Sequence, residues 1–336
     1  MSVAFVWEQT QFLLPPITRN SAGDLRKVGF ELEYNNLDIQ QSARLVQQVF
    51  GGEHVVESTF VHHVETRHGR FSIEIDASIL KDKSYQKPLR GLGLDPEKQW
   101  LEETLLGAFS TVVPIEISAP PIAIDELRPM DELRRLLHEH GAQGTRAALL
   151  HAFGMHINPE APSTDPATLR DFLRAFLLLY PWMKRRHEVD LARTISPYIN
   201  AFPMAYVRIV LAEDYPASAE RLIDDYLEHN PTRNRPLDML PVLAHLDRDR
   251  VMAHTERPDL VKPRPALHYR LPNCMVDEPN WTLAQEWNVW VAVERLANDP
   301  QKLSAMSRDF FQADEQSFRP FIDHWPNMLE QYLSER

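Results

Sequence analysis

A single cysteine, Cys274, stands in 336 residues. That excludes an intramolecular disulfide framework and a cysteine-rich zinc module, and it fits a reducing, cytoplasmic compartment. Glycine is scarce, 11 residues against 26 prolines, which points to defined turns rather than flexible linkers. No apolar run is long enough to span a bilayer; the strongest, Ala175–Tyr180, is flanked by Arg174, Pro181 and Lys184. Met1–Pro16 carries Glu8 and no basic region ahead of its apolar residues, so it does not read as a signal peptide. Bases are in deficit, 36 against 48 acids, for a formal net charge of −12. A nucleic-acid carrier usually shows the opposite balance, and an anionic membrane surface would repel this one. No internal repeat and no low-complexity tract is present.

What the chain does have is 43% apolar residues, enough for a sizeable core, and short segments of alternating polarity. Strands are expected at Lys27–Tyr34, Val55–His63, Arg70–Ala77, Val112–Ser118 and Ala152–Asn158. Helices are expected between them at Asp38–Phe50, Pro96–Ser110 and Met130–His140. The second half reads as helical over Asp165–Leu179, Met183–Ala192, Ser218–His229, Thr282–Asn298 and Pro300–Arg336, with one strand returning at Ala266–Leu271. Lys81–Asp95 is a polar loop containing Gly91 and Gly93. No clean linker interrupts the chain. The expected division is an N-terminal extension (1–24), one catalytic domain (25–295) and a helical C-terminal extension (296–336).

Side chains two apart on a strand share a face. Phe30, Leu32 and Tyr34 oppose Glu31 and Glu33. Phe71, Ile73 and Ile75 oppose Ser72, Glu74 and Asp76. Ile115 and Ile117 oppose Glu116 and Ser118; Phe153, Met155 and Ile157 oppose His156 and Asn158; Leu267, Tyr269 and Leu271 oppose His268 and Arg270. An antiparallel sheet with one wet face would alternate in this way too. Here, however, three strands bring acids to the same kind of face. Like charges across a sheet repel, and a divalent cation relieves them. Carboxylate oxygens suit Mg²⁺ or Mn²⁺, and a single imidazole is tolerated, more readily by Mn²⁺. Arginines on Pro-stiffened backbone, Arg233 and Arg235 within 229–241, Arg264 between Pro263 and Pro265, and Arg270, are candidate clamps for phosphate or carboxylate. Each could equally pair with a surface acid.

Several segments, in order, resemble the motif series of the amidoligase family. They are Gly29-Phe30-Glu31-Leu32-Glu33, Glu74-Ile75-Asp76-Ala77-Ser78, Glu116-Ile117-Ser118-Ala119-Pro120-Pro121 and Gly154-Met155-His156-Ile157-Asn158. That family belongs to the carboxylate–amine ligases, with glutamine synthetase and γ-glutamylcysteine synthetase. The stretch 230–235 and the terminal strand at 269–273 continue the resemblance. It implies an α+β fold with a curved, mainly antiparallel, glutamine-synthetase-like sheet, helices on its outer face, and nucleotide and metal ions on its concave face. It further implies metal ligation by Glu31, Glu33, Asp76 (or Glu74), Glu116 and His156. Arg233, Arg235 and Arg270 would hold phosphate or substrate carboxylate, with Glu74 or a histidine as base. Arg264, Lys87 and Arg90 are the cations expected at the nucleotide, the latter two on a loop (with Lys81 and Lys83) able to close over the site or simply solvated. Two departures stand out: Asn158 replaces a second histidine, and His268 replaces an acid two residues before Arg270, which allows two ions rather than three. The implied activity is ATP-dependent amide formation through an acyl phosphate, with ATP and Mg²⁺ or Mn²⁺, on small-molecule or peptide acids and amines, and an oligomer is possible. Two other readings remain. One is a metal-dependent hydrolase using His62, His63 and His68. The other is an interaction protein using the Trp281/Trp287/Trp290 helix, whose apolar face more often belongs to a core.

Overall fold

The computed structural model describes residues 10–75, 114–145, 153–187 and 200–315, with isolated positions (325, 328, 329 and 332) in the tail. The strands and helices expected first along the chain form as β1 (Lys27–Tyr34), α1 (Ile39–Phe50), β2 (Glu53–Ser58), β3 (Val61–Thr66) and β4 (Gly69–Ile75). They are followed by β5 (Ile115–Ser118), β6 (Ile122–Ala123), α2 (Arg128–Glu139), β7 (Met155–Pro159) and α3 (Pro166–Arg186). Then come α4 (Met204–Leu211), α5 (Ala219–His229), β8 (Leu237–Asp238), α6 (Leu240–Leu246), α7 (Arg248–His254), β9 (His268–Tyr269), α8 (Leu283–Ala297) and α9 (Pro300–Glu315). The strands make one open sheet in the order β2-β3-β4-β5-β1-β7-β9-β8, with β6 beside the start of β1. Every pairing is antiparallel.

The apolar face of each strand is the core face. Phe30, Leu32, Phe71, Ile73, Ile117, Met155, Ile157 and Tyr269 are all essentially inaccessible to solvent. Helix α1 covers β3 and β4, and α8 packs between α2, α3 and α9. Tyr269 meets Phe176 of α3 and Trp290 of α8 at ring-centroid distances of 5.9 and 5.4 Å. Trp281, Trp287 and Trp290 are buried, so the α8 face that could have served a partner is core. Among the described residues no helix is long and apolar enough to cross a membrane.

Several boundaries differ from those expected. Val55–His63 is not one strand: it bends at Thr59-Phe60, where the Phe60 amide donates to Ser58 Oγ at 3.2 Å, and the chain returns as β3. The helices expected at 165–179 and 183–192 join as one, α3, which runs through Pro181 to Arg186; residues 188–192 lie outside the described residues. Proline costs a helix one hydrogen bond, but Leu177, Leu178, Leu179 and Met183 are buried around it and packing holds the helix together. The last strand shrinks to His268–Tyr269 because prolines crowd its approach and exit. Helices α4, α6 and α7 and strand β8 carry too short a period to be read from sequence. The expected helix Pro96–Ser110 and the loop Lys81–Asp95 lie outside the described residues.

One glycine at the α1–β2 junction is required by geometry. Gly52 has φ +94°, and a Cβ there would sit 2.0 Å from the Glu65 carbonyl oxygen. Gly52→Ala should therefore lower stability by at least about 1–3 kcal/mol, read as a fall in the urea midpoint.

Candidate functional site

The opposite face of the sheet collects the polar residues. Cross-strand register places Glu74 beside Glu116 and Glu116 beside Glu33, three carboxylates in one row across β4, β5 and β1. A second row runs Ser72–Ser118–Glu31–His156. Beyond β7, β9 and β8 add the directly paired His268 and Asp238. Directly opposed side chains lie about 4.5–5.5 Å apart at Cβ. The strands that carry these residues are therefore neighbours, and their acids and imidazoles share one surface.

Glu31 is the centre. Its Oε2 accepts from His156 Nδ1 at 2.6 Å, its Oε1 accepts from Asn158 Nδ2 at 2.9 Å, and His268 Nε2 lies 3.7 Å from Oε2. Among the described residues, Glu31, His156 and His268 form the one group of three whose donor atoms all lie within 4.8 Å of one another. His62, His63 and His68 do not make such a group: His62 Nδ1 is 3.1 Å from His54 Nε2, and His63 Nε2 is 2.7 Å from Glu57. Glu33 accepts from the Gly154 amide at 2.6 Å, and its other oxygen is 3.9 Å from His156 Nε2. Glu74 and Glu116 accept from Ser72 and Ser118 at 2.6 and 2.7 Å.

Burial drives the His156 imidazole down to about 3, overcoming the hydrogen bond and charge of Glu31. Burial pushes the other way on Glu31, but the two imidazoles beside it, His156 foremost, outweigh it and hold the carboxyl well below its usual range. At neutral pH the pair is thus a carboxylate and a neutral imidazole. The short contact needs the proton on Nδ1, which leaves the Nε2 lone pair facing Glu33. Both shifts act in one direction on stability. The unfolded chain binds His156's proton below its ordinary 6.5, and the folded chain does not until about 3, so stability falls with pH across that window. Glu31's contribution is present above its ordinary value and is lost as pH falls through its depressed one. We expect metal-free protein to lose up to about 1.4 kcal/mol per pH unit below 6.5 from His156 alone. Denaturant midpoints at pH 7, 6 and 5 should fall less steeply in His156→Gln.

The metal fit rests on the donor set and on one orphaned atom. His268 is 2% exposed, and its Nε2 is buried without a hydrogen-bond partner. Glu31 and His156, both expected as ligands, are joined by His268, which stands where an acid was expected. Asp76 lies outside the described residues, as do Lys87 and Arg90. Glu33 borders the cluster, and Glu116 with Glu74 extends its row outward.

Three of the four expected arginines converge beside it. Arg264 Nη2 donates to Asn158 Oδ1 at 2.9 Å, Arg233 Nε lies 3.3 Å from Asp238 Oδ2, and Arg270 Nη1 donates to the Arg233 carbonyl at 2.5 Å. Burial lowers the pKa of Arg270 and Arg264, and Arg233's positive charge adds to the lowering while Asp238 and Glu31 oppose it. Burial raises the Asp238 carboxyl, but His268, Arg233 and Arg270 bring it below its ordinary value. Arg235 goes elsewhere. It donates to the carbonyls of Ala201 at 2.7 Å, His229 at 3.1 Å and Asn200 at 3.3 Å, and its guanidinium lies 5.9 Å from the Phe202 ring, so it fastens the loop rather than joining the cluster.

A family model described as "putative amidoligase enzyme" matches residues 24–292, well over half of the chain. No curated protein and no solved structure matches it.

Proposed function

Because this chain belongs to the amidoligase family, we propose that it is an ATP-dependent carboxylate–amine ligase working through an acyl phosphate on the polar face of the sheet, on small-molecule or peptide acids and amines. The observation that carries the reading is the meeting of two clusters. A carboxylate–imidazole group (Glu31, His156, His268) adjoins Arg264 through Asn158 and Arg233 through Asp238, and Arg270 donates to the Arg233 carbonyl. One half suits divalent cations and the other suits phosphoryl oxygens, and MgATP or MnATP presents both at once.

A carboxylate does not condense with an amine at neutral pH, because its leaving group would be oxide. In the proposed reaction the substrate carboxylate oxygen attacks the γ-phosphorus of ATP and ADP departs. The amine then attacks the acyl carbon, and the C–O bond to phosphate breaks. Metal ions bound here, Mg²⁺ or Mn²⁺, would neutralise charge on the transferring phosphoryl group. Glu31, His156 and His268 would hold the cation, with Glu33 beside them. Arg233, Arg264 and Arg270 would bind phosphate oxygens, an anion that also relieves their mutual repulsion. Glu74, exposed at the outer end of its row, is the proposed acceptor of the ammonium proton. A glutamine-synthetase-like chamber around these groups is part of the same proposal, as are Lys87 and Arg90 on a covering loop.

The test is thermal unfolding with millimolar MgATP or MnATP. Ligand at a hundredfold excess over Kd stabilises by about 2.7 kcal/mol, a rise of a few degrees in Tm. No rise with either would contradict the reading.

A further inference from the structure

His268 changes the chemistry of the cation site. Two of its three convergent groups are imidazoles, and only Glu31 brings oxygen. Mg²⁺ is a hard ion that takes oxygen ligands and keeps much of its water. Imidazole nitrogen suits the first-row transition ions, whose affinity for such donors rises along the series from Mn²⁺ to Cu²⁺.

The surroundings of His268 are built for a nitrogen ligand. Its Nδ1 lies 3.4 Å from Asp238 Oδ2. Asp238 is fully buried and itself fixed: Oδ1 accepts from the Leu240 amide at 3.0 Å, and Oδ2 lies 3.3 Å from Arg233 Nε. A carboxylate behind one ring nitrogen sets the tautomer, placing the proton on Nδ1 and the lone pair on Nε2. That Nε2 is the buried atom without a hydrogen-bond partner, facing Glu31. An unsatisfied buried acceptor is costly, and a cation satisfies it. The His156 ring stands edge-on to the His268 ring, centroids 5.1 Å apart, so both imidazoles border the same carboxylate.

We infer that the Glu31–His156–His268 cluster selects a first-row transition-metal dication over Mg²⁺, with Asp238 as the positioning residue that presents His268 Nε2 to the ion. The inference rests on the cluster being the cation site of the proposed ligase, and it deepens that reading by naming the class of ion.

The experiment titrates metal-free protein with Co²⁺, Mn²⁺ and Mg²⁺ alone, without nucleotide, following Co²⁺ by its visible bands and Mn²⁺ by electron paramagnetic resonance. Wild type should bind Co²⁺ at least ~100-fold more tightly than Mg²⁺. His268→Glu should cut that ratio roughly tenfold or more, by restoring oxygen. Asp238→Asn should weaken Co²⁺ about 10- to 100-fold and alter its visible bands, a change that a purely structural role in the loop would not make. Pulsed resonance on the Mn²⁺ form of wild type should show directly bound nitrogen, a readout that does not depend on either variant folding. Comparable affinities for Co²⁺ and Mg²⁺, an unchanged ratio in His268→Glu, or no bound nitrogen would overturn the inference. Because no nucleotide is present, these results stand apart from the ATP test: metal preference without ATP binding would sink the ligase reading and leave the metal inference intact.

Discussion

Glu31→Gln is expected to cut ligase turnover by at least ~10²–10³-fold and to abolish stabilisation by MgATP or MnATP, while the nucleotide-free fold survives. Glutamine matches glutamate in shape and keeps an oxygen for Asn158, so the sheet register and the core face behind it are undisturbed. What it removes is the negative charge shared by His156 and His268. Without that charge the cluster would lose its one carboxylate, and a metal–nucleotide complex would lose its anionic anchor there. Steady-state ADP release and the ATP-dependent Tm shift measure the two effects. A variant that still shows the full nucleotide shift would place the cation elsewhere.

The second large effect is on folding. Arg26, just ahead of β1, and Glu294 on α8 form a two-pronged ion pair with both contacts at 2.7 Å, and the two side chains are 1% and 0% exposed. Arg26 also donates to the Glu160 carbonyl at 2.8 Å and the Ile17 carbonyl at 2.6 Å, and Trp290 Nε1 donates to Glu294 at 2.7 Å. The pair ties the central strand to the helical layer with its charges fully satisfied. Removing one partner leaves a buried charge alone, so Arg26→Met or Glu294→Leu should each lose about 3–5 kcal/mol. The double variant should recover much of that loss, because it buries no unpaired charge. Equilibrium denaturation of the two single variants and the double variant reads this coupling, and additive losses would contradict it.

Both features bear on what the sequence could reveal. The strands of the sheet centre were legible because each has one buried and one polar face, and period-2 alternation reports that directly. The convergence of Glu31, Glu33, Glu74, Glu116 and His156 on one face followed from the same alternation once the strands paired as neighbours. Asp238 left no such trace. It sits on a two-residue strand, too short for a period, and its role comes from a register with His268 across 30 positions of chain. His268 did carry a signal, since it shares a face with Arg270, but comparison by residue type treated its imidazole as a missing acid. Arg235 resembled its neighbour Arg233 in sequence, yet a two-residue offset turned it toward the carbonyls of the preceding loop. Arg26–Glu294 was invisible for another reason: a buried ion pair spanning 268 residues reads, in sequence, as two ordinary surface charges.

The most direct test of the central claim is ADP release across a matrix of carboxylic acids and amines, with Glu31→Gln as the blank. The account predicts that at least one acid–amine pair releases ADP and phosphate in equal amounts with an amide formed, strictly dependent on divalent metal, and that Glu31→Gln does not. Phosphate released from phosphate esters without ATP, or amide formation undiminished in Glu31→Gln, would contradict it.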